Sequence, residues 1–279
     1  MSSSVKANFV RNVEYQQTGL DQAAAHQLAA AVRPPLPAQG SLGRWLLQRL
    51  PWVDAYKSAA GEYELSVAQT VLQVHTRVAD LFNQPMNQTE QQLRRTIEAL
   101  KERQEHELVN SPALGLLHRV ADSQRIHAGS GGPTPENLDA LLAKVQREPA
   151  FFLAHPHAIA AFAQECSRRD IAPAGVMVDG SRMSAWRGIP ILPCDKIPIS
   201  QERTTSILLL RTGEENQGVI GLHHAELHDE HEPSLSVRFL TISERAIISY
   251  LVSLYYSVAV QAPDALGVLE HVEIGCAHD

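Results

Sequence analysis

The 279-residue chain has few cysteines and no long hydrophobic run. Cys166, Cys194 and Cys276 are far apart and form no Cys-x-x-Cys pair, so they give no disulfide framework and are typical of a reducing compartment. Residues 1–12 contain no apolar signal core. The longest apolar stretch, 246–260, has 15 residues, whereas a spanning helix needs about 20. We therefore expect a cytoplasmic protein without a membrane span, and we interpret this stretch as a buried helix followed by a strand.

Clustered positive charge is also missing. The formal net charge is −7, and no run of Lys or Arg is longer than two residues. A nucleic-acid surface needs clustered Lys and Arg to neutralise phosphates. With 44% hydrophobic and 20% charged residues, the composition is that of an ordinary globular protein. We expect no nucleic-acid partner.

No motif of a common catalytic class is complete in this sequence. Gly129–Gly132 lacks the Gly-Lys-Ser/Thr ending of a phosphate-binding loop and is more typical of a linker. Asp179–Ser181 lacks the Gly-x-Ser-x-Gly pattern of a nucleophile elbow. Cys166 lies beside Phe162 on the apolar face of a predicted helix, as a small buried hydrophobe would. We expect no catalytic residue, no cofactor and no enzymatic activity.

One segment does carry metal-ligand chemistry. Residues 223–232 hold four imidazoles and four carboxylates, and neutral histidine and carboxylate are good ligands for zinc or nickel. The candidate ligands are His223, His224, His228 and His231. The segment lies between two predicted strands without a helical ligand spacing, so a polar loop tip explains it equally well. A metal-binding enzyme that uses this loop stays open as an alternative.

Helical patterns dominate the first half of the chain, and strand patterns dominate the second half. Residues 1–40 are typical of an arm, because Pro34–Pro37 cannot continue a helix. Thr89 and Gln92 form a capping-box pattern that predicts a long helix over Thr89–Val109. Other predicted helices cover 42–50, 65–82, 134–147, a segment beginning at Pro156, and 243–254. Predicted strands cover 189–192, 206–211, 218–223 and 234–240, and the turn at 213–217 predicts a β-hairpin. This order predicts an α+β fold.

Four passages of the chain resemble the shell proteins of the family 2 encapsulins, bacterial nanocompartments with the tailed-phage major capsid (Hong Kong 97-type) fold. The similarity is densest in EPAFFLAHP, LLLRTGE, QGVIGL, LSVRF and SYLVSLY. The four passages are 74–80 with 93–109, 134–169, 186–196 and 206–270. The similarity covers roughly residues 42–56 and 63–273, which is nearly the whole chain.

The resemblance implies a non-enzymatic protomer that assembles with copies of itself into an icosahedral cage around a cargo enzyme. It implies an N-terminal arm, a peripheral domain with a spine helix, an axial domain, and a return to the peripheral domain. The corresponding residues are 1–57, 58–150, approximately 151–231, and 232–279. The chain has no cyclic-nucleotide-binding insertion, and the branch without that insertion is associated with a cysteine desulfurase cargo and sulfur storage.

Two segments depart from the family pattern. Only Ser58, Ala59 and Ala60 stand between Lys57 and Gly61, where relatives carry the extended loop that clasps adjacent subunits. A shortened extended loop removes inter-subunit strand pairing that ordinarily stabilises a shell contact. A weaker shell, co-assembly with a full-length paralogue, and a non-assembling cargo-binding module are therefore alternatives. The His-rich loop is the second departure, since relatives tend to hold Gly, Pro and Gln there.

Overall fold

The computed structural model describes residues 44–55, 65–75, 88–224, 227, 229–243 and 247–275. Within these ranges there are five α-helices: α1 (Trp45–Arg49), α2 (Gln88–Asn110), α3 (Leu116–Arg119), α4 (Pro135–Lys144) and α5 (Pro156–Arg168). Two 3₁₀ turns cover Asp122–Gln124 and Pro263–Ala265. The described strands are β1 (Trp52–Asp54), β2 (Ser66–His75), β3 (Arg125–His127), β4 (Phe151–Ala154), β5 (Ala174–Val178), β6 (Ser181–Trp186), β7 (Ile189–Pro193), β8 (Thr204–Leu210), β9 (Val219–His223), β10 (Glu230–Glu232), β11 (Leu235–Ile242), β12 (Ile247–Val260) and β13 (Leu266–Glu273).

The strands form two mixed sheets, which confirms the predicted α+β class. One sheet has the order β3-β13-β8-β4-β7-β6-β5. The other has the order β1-β9-β12-β11-β10, with β2 also paired to β12. On one edge, β12 pairs with β11. On the other edge it pairs first with β2 and then, through its last four residues, with β9.

Strand β4 lies inside its sheet and separates two apolar layers. All four of its residues are buried, and successive side chains of a strand point to opposite faces. Phe151 and Leu153 therefore join the core that reaches α2 and the second sheet, whereas Phe152 and Ala154 join the core under α4 and α5. The segment EPAFFLAHP thus supplies both layers from four residues.

Helix α2 is the long helix that the sequence predicts at Thr89–Val109, and it begins one residue earlier. Its 23 residues span about 35 Å at 1.5 Å per residue. The predicted inward residues Leu93, Ile97, Leu100 and Leu108 are all buried. Two predicted i,i+4 ion pairs lie on its outer face, Glu90–Arg94 at 3.2 Å and Arg103–Glu107 at 2.8 Å.

Two further predicted helices are confirmed by their N-terminal caps. The Thr134 hydroxyl accepts a hydrogen bond from the Asn137 backbone N–H at 3.2 Å, and Pro135 takes the first helical position of α4. Pro156 does the same for α5, and the backbone N–H of His157 donates to Nδ1 of His155 at 3.1 Å. Both helices place their apolar faces on the seven-stranded sheet.

The predicted helix over 65–82 is wrong for the part that the structure describes. Residues 66–75 form strand β2, and residues 76–82 lie outside the described residues. Val67, Gln69, Val71 and Gln73 alternate with side chains that are buried or half-buried. This is the period of a strand with one face toward the core, as the contact between β2 and α2 requires.

The predicted helix over 243–254 is also wrong for the part that the structure describes, and residues 244–246 lie outside the described residues. From Ile247 the chain continues as the 14-residue strand β12 to Val260. Most of its residues are buried, because β12 lies inside the sheet and its side chains are covered on both faces. The described residues 247–254 are therefore strand and not helix.

The predicted β-hairpin around 213–217 does not form. Strands β8 and β9 belong to different sheets, and only an isolated bridge between Thr212 and Val219 joins the two ends of the turn. The turn itself is closed by hydrogen bonds from the Gly218 N–H to the Gly213 carbonyl at 2.8 Å and from the Val219 N–H to the Arg211 carbonyl at 2.7 Å. The chain thus uses this turn to cross from one sheet to the other.

Candidate functional site

The outer face of β2 presents two exposed valines, which alternate with glutamines. Val67 is 46% exposed and Val71 is 51% exposed, and the two lie on the same face, four residues apart. Among the described residues, β2 pairs only with β12, so its other edge has no strand beside it there. An apolar strand face with an open edge is a surface suited to contact with another protein chain.

The hairpin of β5 and β6 presents a second exposed apolar side chain. Met177 on the edge strand β5 is 67% exposed. At the tip of the hairpin, Asp179 has φ 48° and Gly180 has φ 79°, which is the backbone of a tight turn between two antiparallel strands. The Asp179 carboxylate pairs with Arg49 of α1 at 2.5 Å, so the hairpin tip is tied to the end of the first described helix.

Arg211 joins the two sheets, a role that no local sequence pattern indicates. Its side chain is fully buried. Its guanidinium donates to both carboxylate oxygens of Asp264, at 2.9 and 3.1 Å, and to the Gln146 carbonyl oxygen at 2.6 Å. The Arg211 backbone N–H donates to the Ala265 carbonyl oxygen at 2.9 Å. Arg211 therefore holds together the end of α4, the turn into β9 and the 3₁₀ turn between β12 and β13.

A buried carboxyl group lies on α2 opposite the chain that follows β7. Glu105 is fully buried, and neither of its carboxylate oxygens has a hydrogen-bond partner among the described residues. Burial is the main reason why the pKa of Glu105 rises to about 7; Asp195 and Glu102 act in the same direction, whereas Lys196 and Arg44 oppose the rise. This carboxyl group therefore titrates near neutral pH.

The two described cysteines are inert core residues. Cys166 and Cys194 are free thiols with no exposed surface. Burial raises the pKa of both thiols, and that of Cys194 reaches about 12. A thiolate nucleophile needs the opposite environment, a lowered pKa beside a base. The interpretation of Cys166 as a buried hydrophobe is confirmed, and Cys276 lies outside the described residues.

The structure separates the histidines of the predicted loop. His223 ends β9, His224 packs its ring against Tyr255 with centroids 5.9 Å apart, and His231 lies in β10. In the part of the chain that the structure describes, these three do not form a set of metal-ligating atoms within 4.8 Å of one another. His228 lies outside the described residues, so a metal site in this loop stays a prediction.

No helix in the described ranges combines the length and the apolar character that crossing a bilayer requires.

Comparison with known proteins identifies the relatives of this chain. The family model for SrpI-like type 2A encapsulin shell proteins matches residues 46–276. The type 2A encapsulin shell protein SrpI of Synechococcus elongatus is 44% identical over 296 residues, covering 94% of this chain and 96% of that protein. A type 2A encapsulin shell protein of Mycobacterium leprae is 42% identical, covering 96% of this chain and 99% of that protein. The first alignment is longer than this chain, so that relative holds residues with no counterpart here.

Solved structures give the same relationship. The cryo-EM structure of the holo-SrpI encapsulin complex from Synechococcus elongatus matches with a TM-score of 0.79, covering 94% of this chain and 99% of that chain. The capsid of an empty GTA particle shares the fold alone, with a TM-score of 0.56 at 12% identity. These matches confirm the predicted tailed-phage capsid (Hong Kong 97-type) fold. With a family model that matches most of its length and relatives named as shell proteins rather than enzymes, the chain belongs to the SrpI-like family of type 2A encapsulin shell proteins and is a structural protein.

Proposed function

We propose that the chain assembles with copies of itself into a closed icosahedral cage in the cytoplasm, around a cysteine desulfurase that serves sulfur metabolism or storage. The observation that carries the proposal is the match to the SrpI chain of a holo-encapsulin complex, which extends over 99% of that chain. A shared fold over this length supports the same mode of assembly, apart from the contact that the extended loop makes. The cytoplasmic location is supported by the free, buried thiols of Cys166 and Cys194.

In this proposal, the domain organisation of the chain follows the family pattern. Residues 1–57 act as the N-terminal arm, 58–150 and 232–279 build the peripheral domain, and 151–231 build most of the axial domain. Helix α2 serves as the spine of the peripheral domain, because its buried face contacts both β2 and β12. The ion pair between Arg49 and Asp179 connects the arm to the hairpin of the axial domain.

The outer face of β2 is the contact surface that the described residues favour. Val67 and Val71 are each about half exposed, and covering a valine side chain completely is worth about 1.5–3 kcal/mol. Covering the exposed halves therefore contributes on the order of 1 kcal/mol for each valine, repeated at every copy of the contact in a cage. Small gains of this kind add up over a cage, because every subunit makes the same contact.

The shortened loop favours a second candidate function. The segment between Lys57 and Gly61 lies outside the described residues, but the alignment with SrpI requires residues that this chain lacks. A subunit without its clasp loses main-chain hydrogen bonds to a neighbour. It would then enter cages only together with a full-length paralogue, or bind the cargo without forming a cage.

Expression of the untagged full chain tests these functions. Size-exclusion chromatography with light scattering, followed by negative-stain microscopy, should show closed particles when the chain is expressed alone. Co-expression with a cysteine desulfurase should place the enzyme inside the particles, protected from added protease. Subunits that stay monomeric alone but enter particles with a full-length paralogue would support co-assembly instead. Monomers under every condition, with the enzyme bound, would support the cargo-binding module.

A second enzyme serves as the control for the identity of the cargo. An enzyme of similar size and charge from another class, co-expressed at the same level, should stay outside the particles. Particles that exclude the desulfurase, or enclose both enzymes equally, would contradict the cargo part of the proposal and leave the shell part standing.

A further inference from the structure

Three metal-ligating side chains meet at the edge of the seven-stranded sheet, far from the His-rich loop in the sequence. They are His127 at the end of β3, and Glu270 and His271 near the end of β13. One ligand atom from each of the three lies within 4.8 Å of the others, and this is the one such group among the described residues. The group combines two imidazoles with a carboxylate.

The backbone brings these side chains together in two ways. Parallel pairing of β13 with β3 sets Glu270 directly opposite His127, and the His127 Nδ1 lies 3.5 Å from the Glu270 Oε2. Neighbouring residues of a regular strand point to opposite faces, which would separate Glu270 from His271. However, the register shifts between Leu269 and Val272, and His271 has φ 57°. This bulge turns the imidazole of His271 toward Glu270 and His127. The ring centroids of His127 and His271 lie 5.4 Å apart.

The carboxylate of Glu270 is held in place by a second contact. Arg125 donates to its Oε1 at 2.5 Å. The same guanidinium donates to the backbone carbonyls of Leu117 and Val120, both at 3.1 Å, so Arg125 is itself fixed from behind. Oε2 is the oxygen that remains on the side of the imidazoles. Outer contacts of this kind orient the ligands of metal sites and sustain their affinity.

We propose that His127, Glu270 and His271 bind one divalent transition-metal ion per subunit, with Zn²⁺ as the best match. Two imidazoles and one carboxylate are a ligand set that zinc accepts, and water completes the coordination. The His127 side chain is 69% exposed, which lets it rotate onto an ion and lets the ion enter from solvent. The bound ion joins β3, an edge strand of three residues, to β13. The site belongs to the single subunit and depends neither on cage formation nor on cargo.

Isothermal titration of the untagged full chain with zinc chloride tests the site. We expect saturable binding of one zinc ion per subunit, which weakens as the solution is acidified because an imidazole must lose its proton to bind. His127→Ala and His271→Asn should each weaken binding by about 100-fold or more, since even outer contacts of a metal site are worth 10–100-fold. Asparagine tolerates the positive φ of His271, so this variant keeps the bulge while removing the imidazole.

Two matched variants separate this site from others. His118→Ala removes an exposed histidine from α3 and should leave zinc affinity unchanged. The double variant His223→Ala/His231→Ala removes two histidines of the loop and should also leave one zinc ion bound. Without zinc, all variants should melt at the wild-type temperature, whereas zinc should raise the melting temperature of the wild type but not of His271→Asn.

Three results would overturn the proposal. They are a wild-type chain that shows no saturable binding, binding that survives in both His127→Ala and His271→Asn, and binding that is lost only in the loop variant. X-ray absorption of the zinc-loaded wild type adds a direct check, because it should show nitrogen and oxygen ligands at about 2.0–2.2 Å and no sulfur.

Discussion

Removal of the Asp264 carboxylate should destabilise this subunit severely, because Arg211 would remain buried with its charge unpaired. The Arg211 side chain is fully buried, whereas that of Asp264 is 31% exposed. Arg211 also stabilises the ionised form of Asp264 and so lowers the pKa of that carboxyl group. The two groups therefore act as one unit, at the place where the turn into β9 lies beside the 3₁₀ turn between β12 and β13.

The size of the effect follows from the burial of the pair. Breaking a buried ion pair by removing one partner costs about 3–5 kcal/mol. Because water already reaches Asp264, some hydration of Arg211 follows its removal, and we expect the lower end of that range for Asp264→Ala. For a chain of this size, about 3 kcal/mol lowers the melting temperature by roughly 6–12 °C. Arg211→Met combined with Asp264→Ala should recover part of this loss, because no unpaired charge then remains.

Thermal unfolding followed by circular dichroism measures the melting temperature of each variant. The samples are first matched in assembly state by size-exclusion chromatography. The control is Glu136→Ala, which removes a carboxylate that binds Arg169 at 2.6 Å on the surface. This variant should shift the melting temperature far less, since exposed ion pairs contribute little. Equal melting temperatures for Asp264→Ala and Glu136→Ala, or a double variant no more stable than Asp264→Ala, would contradict the prediction.

Three further changes have expected outcomes. Because burial raises the pKa of Glu105 to about 7, the native state keeps a proton that the unfolded chain has lost between about pH 5 and pH 7, so stability falls by on the order of 3 kcal/mol as pH rises through that window. Glu105→Gln should abolish this fall in urea titrations at pH 5 to 8; a wild-type stability that does not change with pH would contradict it. A Cβ at Gly221 would lie 2.7 Å from the Trp52 ring, so Gly221→Ala should cost about 1–3 kcal/mol and change tryptophan fluorescence, and unchanged emission would mean that β1 is not packed there. The isosteric Val67→Thr/Val71→Thr should lower particle yield without changing the fold, whereas Val67→Ile/Val71→Ile should not; equal yields would exclude the β2 face as a contact.

The helices with explicit end signals could be predicted from the sequence. Thr134 with Pro135, and Pro156 after His155, are local signals whose effect depends on neighbouring residues alone. The apolar stripe of α2 has the same character, because a long helix with one buried face repeats its pattern several times. Such elements depend little on the rest of the fold.

Strands β2 and β12 were mistaken for helices because residues of a strand can also recur at helical spacing. The helix prediction rests on Val71 and Leu72 together with Val78 and Phe82. In β2, however, exposed and covered side chains alternate over 67–74, and the segment is rich in β-branched residues. In β12 the apolar residues Ile247, Tyr250 and Leu254 recur at spacings of three and four positions, which is also the pattern of a helix face. A continuous apolar run cannot be assigned by periodicity alone, since covering both faces of a strand removes the alternation.

The candidate sites were harder to predict because they depend on partners distant in the sequence. Arg211 is separated from Asp264 by 53 residues, and nothing local distinguishes it from an exposed arginine of a turn. His127 is more than one hundred residues from Glu270, and only the pairing of β3 with β13 brings them together. The dense histidines at 223–231 predict a metal site from local composition alone, and this stays a prediction because His228 lies outside the described residues.

The long strand β12 also decides how the subunit carries mechanical load. Along its 14 residues it has ten paired positions with β2, seven with β11 and four with β9. Tension along the strand direction shears all of these hydrogen bonds at once, so they must rupture together. A force across the sheet instead peels neighbouring strands away one bond at a time. Force along β12 therefore meets a high resistance to extension, whereas force across the sheet at β2 separates the strands in sequence.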